Sequence, residues 1–177
     1  MKKLFKVLVL FILFFSFLII FLPKEKVFFY TLNALSKKNI LFKSYIFEDK
    51  PYSFYLKDSK IYYKNIQALK IQDFSLNTYI VYNKLIINGI KVDDSLKQFV
   101  PSNIKNVNIK YSVLNPLFID IDIYSKEFKV KGYIDILQEK LVLNLNVSKM
   151  FKKQYSKLLR QIKYDNKTKE YKYEYKL

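Results

Sequence analysis

From Ile40 onward the chain alternates apolar and polar residues with a period of two, and no other feature limits its fold so severely. Val107, Ile109, Tyr111 and Val113 are separated by Asn108, Lys110 and Ser112. Leu117, Ile119, Ile121 and Ile123 oppose Asp120, Asp122 and Tyr124. Phe128, Val130, Ile134 and Ile136 run against Lys129, Lys131, Tyr133 and Asp135, and Leu141, Leu143, Leu145 and Val147 against Asn144, Asn146 and Ser148. Tyr171, Tyr173, Tyr175 and Leu177 alternate with Lys172, Glu174 and Lys176. Successive side chains of a strand point to opposite faces, so each stretch predicts a strand with one apolar and one wet face. Parallel sheets are buried on both faces and do not alternate so cleanly. Turn residues at Lys57-Asp58-Ser59-Lys60 (between strands over 52–57 and 60–64), Asn115-Pro116 and Gln138-Glu139-Lys140 recur at roughly eight to twelve residues, which predicts an antiparallel meander. The expected fold is mainly β: a single antiparallel sheet, a curved meander, over 40–177 with two or three short helices. One helix is expected over Asp94–Phe99, before Pro101. Another is expected over Met150–Ile162, where Phe151, Tyr155, Leu158, Leu159 and Ile162 form an apolar stripe behind a Ser148 N-cap.

Ahead of this region, Val7–Leu22 reads VLVLFILFFSFLIIFL, in which Ser16 alone is not Val, Leu, Ile or Phe. Counting Leu4 and Phe5, with Lys6 snorkelling, a helix of this stretch is about 28 Å long, close to the hydrocarbon core of about 30 Å. No small residues follow the run to mark a cleavage site, so an uncleaved membrane anchor is expected, bounded by Val7 and Leu22. Lys2, Lys3 and Lys6 place the tip in the cytoplasm and the remainder across the membrane. The organisation expected is a tip and anchor over 1–23, a juxtamembrane helix or linker over 24–39, and an extracytoplasmic β domain over 40–177. Within the linker, Phe28, Leu32 and Leu35 fall at helical spacing, and Phe29 and Tyr30 suit a membrane surface.

Chemistry is narrowed by what is missing. The chain has no cysteine and no histidine, which removes thiolate sites, disulfides and the commonest general base and metal ligand. No phosphate loop or zinc spacing occurs. Asp120, Asp122 and Asp135 are the nearest approach to a reactive set, and the expected reading is a solvated strand face paired with lysines. No catalytic residue, cofactor or metal is expected, and a carboxylate-based hydrolase is the weakest alternative. The net charge is +17, with 32 basic and 15 acidic residues, yet Arg160 is the only arginine. Nucleic-acid recognition favours arginine, so nucleic acid is not expected as a partner. The Lys, Asn, Ile, Phe and Tyr bias matches A/T-rich codon usage. Lys152, Lys153, Lys157 and Arg160 fall on the polar side of the expected C-terminal helix, a surface for anionic lipid or an acidic partner.

An anchor ending in Leu22-Pro23 is followed by Val113-Leu114-Asn115-Pro116-Leu117 before one strand and Lys131-Gly132-Tyr133-Ile134-Asp135 before a leucine-rich one. A helix with Tyr155, Leu158 and Leu159 then leads to a tyrosine-rich closing strand. This layout resembles the type II secretion system protein N family and, more distantly, the AsmA-like proteins of the bacterial envelope. Glycine, usual at several turns in those families, numbers only two here. The resemblance implies a non-enzymatic inner-membrane protein, single-pass, whose periplasmic sheet acts as a scaffold or transport component in secretion or lipid transfer, with envelope protein partners and, for the lipid-transfer role, a lipid ligand. A bridge similar to the lipopolysaccharide-transport component with one anchor and a β-jelly-roll is the alternative. The apolar strand face suits a cradle for acyl chains, but the pattern alone favours an ordinary core closed by the two helices.

Overall fold

The computed structural model describes residues 5–7, 9–11, 13, 14, 17, 24–44, 46–79, 81–97 and 100–177. The expected anchor lies largely outside them. Its described members, Val7, Val9, Leu10, Phe11, Leu13, Phe14 and Phe17, are helical and exposed. Among the described residues no helix is long and apolar enough to cross a membrane.

The chain after Pro23 opens with helix α1 (Lys24–Ser36), which has no internal Gly or Pro and closes on Asn39 at φ 61°, an αL cap. Eleven strands follow, all antiparallel: β1 (Ile40–Lys43), β2 (Ile46–Lys50), β3 (Ser53–Tyr63), β4 (Ile66–Thr78), β5 (Tyr82–Val92), β6 (Asn103–Ser112), β7 (Asn115–Tyr124), β8 (Phe128–Asp135), β9 (Lys140–Val147), β10 (Lys163–Asp165) and β11 (Glu170–Lys176). They form one sheet in the order β1-β3-β4-β5-β6-β7-β8-β9-β11-β10, with β2 sharing the β3 edge with β1. From β3 to β9 every connection is a hairpin, as a meander requires. The sheet stays open, and its edges are strands of three to five residues, too short to template further pairing efficiently.

With so few glycines, the turns use other residues in left-handed backbone: Asn39, Lys64, Asn65, Glu139 and Lys169 all have positive φ. Lys64-Asn65 is a two-residue hairpin loop with φ 48° and 67°, the conformation whose twist matches the flanking strands.

The expected turn at Lys57–Lys60 does not exist; β3 passes straight through it. What happens there is a phase slip. Asp58 takes φ 49°, and the apolar ladder moves from Phe54 and Leu56 to Ser59 and Ile61. The register carries the slip across four strands: Lys57-Asp58 lies beside Gln72-Asp73, then Asn88-Gly89, then Lys105-Asn106. Each strand spends two consecutive polar or small residues at this line and resumes alternation one residue out of step. Because all four shift together, no partner loses register.

Two further expectations change at hairpins. Val113 leaves the β6 alternation and, with Leu114, forms the β6–β7 turn, while Asn115 and Pro116 lie inside β7 instead of breaking it. The helix expected over Asp94–Phe99 is a single 3-10 turn, Asp94–Leu96, capped by the Asp93 carboxylate, which accepts from Ser95 N at 3.1 Å; Gln98 and Phe99 lie outside the described residues.

The helix expected over Met150–Ile162 is two: α2 (Lys149–Gln154) and α3 (Ser156–Leu159). Ser148 is the N-cap, accepting from Phe151 N at 3.1 Å. The break is at Tyr155, φ −109° and ψ 32°, whose hydroxyl donates to the Lys97 carbonyl at 3.2 Å. Phe151, Tyr155 and Leu159, four residues apart, share one side of the helix pair and together bury Phe128 and Val130. The closing strand β11 joins this sheet beside β9, as its tyrosine alternation requires.

Candidate functional site: an uncovered apolar sheet face

Register converts the alternation into continuous rows. One runs Phe54, Leu76, Leu85, Ile109, Ile121, Gly132, Leu143, Tyr173 across eight strands. Beside it runs Leu56, Phe74, Ile87, Val107, Ile123, Val130, Leu145, Tyr171. On the other flank lie Asn83, Tyr111, Ile119, Ile134, Leu141 and Tyr175. The cross-strand neighbours shield one another laterally, but only another layer can bury them.

Among the described residues that layer exists only at the two sides. On one, Phe28 of α1 sits with ring centroids 4.8 Å from Phe54, 5.6 Å from Phe42 and 5.9 Å from Phe74. Phe54 and Leu56 beneath it are 1% and 2% exposed. The expected surface helix therefore uses its apolar side on the sheet, leaving Phe29 and Tyr30 exposed. On the other side, α2 and α3 bury Phe128 and Val130. Between these covers, Leu85, Ile87, Val107, Ile109, Ile119 and Ile121 are all only half-buried. The core closed by two helices is thus closed at its flanks and open in its middle. Helices of thirteen, six and four residues are too few to roof a sheet this wide. Three strands at about 4.8 Å spacing and three rows about 6.7 Å apart cover roughly 290 Å², at the lower end of the largest apolar patches of typical monomers. Asn83 stands in the flanking row, and its Oδ1 is buried without a hydrogen-bond partner.

The opposite face carries the charges. Asp120 lies between Lys110 and Tyr133, and Asp122 between Asn108 and Lys131. Asp120, Asp122, Asn108, Lys110 and Lys131 line a shallow recess of about 450 Å³ with Lys84. Asp135 does not join the other two carboxylates in that recess; its Oδ1 accepts from Gln138 N at 2.9 Å and fixes the β8–β9 turn. Among the described residues no three acidic side chains group as a metal site would require.

The basic set is divided by the helix break. Lys152 is half-buried, with its ammonium over the rings of Tyr164 and Tyr171 at 5.4 and 5.6 Å. With Arg160 it lines a recess of about 360 Å³ that Lys153 and Lys157 do not reach. The latter two are exposed in α2 and α3.

Two signals escape a reading by alternation. The members of the rows on β3 to β5 are hidden by the phase slip. The apolar residues placed at turns, such as Val113-Leu114 and Ile136-Leu137, are visible in the sequence as apolar pairs. No protein-family model matches the chain, and no curated protein or solved structure is significantly similar to it.

Proposed function

We propose that this protein is a membrane-tethered sheet that binds lipid acyl chains and serves as a non-enzymatic transport component of the bacterial envelope. The observation that carries the reading is the uncovered middle of the apolar face. Three rows cross β5, β6 and β7 there with no charged member and, among the described residues, no covering element between α1 and the α2–α3 pair. Each methylene removed from water onto such a surface contributes about 0.8 kcal/mol, so an acyl chain gains affinity along its length without a specific pocket. The apolar run Val7–Leu22 supports the tether, and the three lysines before it support a cytoplasmic tip. The layout resembling the type II secretion system protein N and AsmA-like families supports a periplasmic location. An open sheet fits lipid handling better than a closed jelly-roll bridge.

The test is lipid extraction and mass spectrometry of the full chain purified in detergent. Ile109→Asp combined with Ile121→Asp puts two charges at facing positions in the middle of the apolar face. Asn108→Asp puts one on the opposite face as a control. Lipid is expected to co-purify with the parent and the control and to be lost from the double variant. Equal lipid content in all three, with each still folded by circular dichroism, sinks the reading.

A further inference from the structure

In a meander, alternate turns gather at the same end of the sheet, and the two ends of this one differ. At one end lie the β2–β3, β4–β5, β6–β7 and β8–β9 turns, with Leu177 after β11 bonded to the Glu139 carbonyl. Their turn residues are Pro51-Tyr52, Tyr79 and Val81, Val113-Leu114, and Ile136-Leu137-Gln138-Glu139. Leu114 is 85% exposed and Leu137 73%. Tyr52 stacks on Tyr79 with ring centroids 6.4 Å apart and planes at 9°. The turns at the other end carry Lys37-Lys38-Asn39, Lys64-Asn65, Asp93-Asp94-Ser95, Ser125-Lys126-Glu127 and Asn166-Lys167-Thr168-Lys169. Exposed Ile66 and Val100 there stand among those charges.

Turn residues are ordinarily polar because water is their environment. An end whose turns are mostly apolar or tyrosine, with Gln138 and Glu139 the polar members, fits the interfacial layer of a bilayer, where aromatic rings sit at head-group level and aliphatic side chains reach below. A second observation points to the same end. Ser36 closes α1 at the polar end, where Asn39 accepts from Lys64 N at 3.0 Å. Phe28, eight residues earlier and about 12 Å back along the helix, packs on Phe54, one residue in from the Ser53 end of β3. The N-terminus of α1 therefore points to the apolar tips, and the apolar run Val7–Leu22 immediately precedes that helix in the sequence.

We propose that this end of the sheet is a docking rim for the lipid bilayer that holds the N-terminal segment. The tips lie at the end of the apolar rows: Leu117 and Ile136 continue the row of Ile119 and Ile134, the Ile136 N–H donating to the Leu117 carbonyl at 2.9 Å. An acyl chain leaving the membrane at the rim meets the uncovered face there, with Asn83 the one polar member of the row it crosses. The inference rests on the tether proposed above and adds where, and by which residues, the domain touches the membrane.

The chain has no cysteine, so single probes can be placed without background. Leu114→Cys and Leu137→Cys, against Asn65→Cys and Lys126→Cys, are labelled with a polarity-sensitive fluorophore in the full chain. Each is reconstituted into phosphatidylethanolamine–phosphatidylglycerol vesicles with and without a nitroxide-labelled lipid. The tip probes are expected to emit at shorter wavelength and to be quenched by the nitroxide, with the far-end probes unchanged. Water-like emission at all four sites, in protein that floats with the vesicles, overturns the rim and leaves the tether standing. Protein that fails to float overturns both. Shielded tip probes that the nitroxide does not quench overturn the rim in favour of a protein partner or second copy.

Discussion

Gly132→Ala should be among the most damaging single changes in the sheet, although it adds only a methyl group. A Cβ built on Gly132 falls 2.1 Å from the Val142 carbonyl oxygen, 2.7 Å from Leu143 Cδ2 and 3.0 Å from Leu143 Cα. Carbon and carbonyl oxygen in neighbouring strands normally approach no closer than about 3.3 Å, so β8 and β9 would have to part by about 1.2 Å at this point. The leucine methyl can rotate away; the backbone oxygen cannot. A shift of that size breaks one or two ladder hydrogen bonds at about 1 kcal/mol each and opens the packing of Ile121 and Leu143 on either side. The total is about 2–4 kcal/mol. Urea titration of the detergent-solubilised full chain, followed by far-ultraviolet circular dichroism, measures it. Gly89 provides the contrast, since its φ of 63° makes backbone conformation part of the cost. There Asn should be better tolerated than Ala, because Asn accepts left-handed backbone. At Gly132 Asn should be no better than Ala. A Gly132→Ala protein within about 0.5 kcal/mol of the parent, well below the overpacking range, would refute the steric reasoning.

Phe151 is 1% exposed at the centre of the cluster joining α2 and α3 to the sheet. Phe151→Ala should cost about 3–5 kcal/mol and expose Phe128 and Val130, read as a lower urea midpoint and new dye-binding surface. Lys64→Gly, at φ 48°, relieves a left-handed side chain and should raise the thermal midpoint by a gain of up to about 1 kcal/mol. Hydrogen bonds from Lys140 and Lys172 hold the Glu174 carboxyl at about 2, against an ordinary 4.5. A depressed carboxylate pKa gives stability that is complete above the unfolded value and is lost as pH falls through the folded one. Acid titration should therefore loosen the β9–β11 pairing between pH 4.5 and about 2, and Glu174→Gln should remove that dependence. Equal acid sensitivity of the two proteins would refute it.

Alternation is a local property, written in side chains two apart, and it made β6 to β9 and β11 legible from residues alone. The Ser148 cap is local too, needing only a hydroxyl within reach of Phe151 N–H. The acidic side chains facing lysines on the wet face could be read in the same way. Tertiary structure decided what depends on neighbours distant in the chain. The slip at Asp58 is harmless only because Gln72, Gly89 and Lys105 stand beside it in step, and no single strand records that agreement. Tyr155 breaks a helix that its own sequence would continue, and its hydroxyl donates to the Lys97 carbonyl, a contact between distant residues that no local pattern records. Whether an apolar face is core or groove is likewise settled by what lies above it. A period of two marks which side avoids water, while coverage depends on how far thirteen, six and four residues of helix reach across eleven strands.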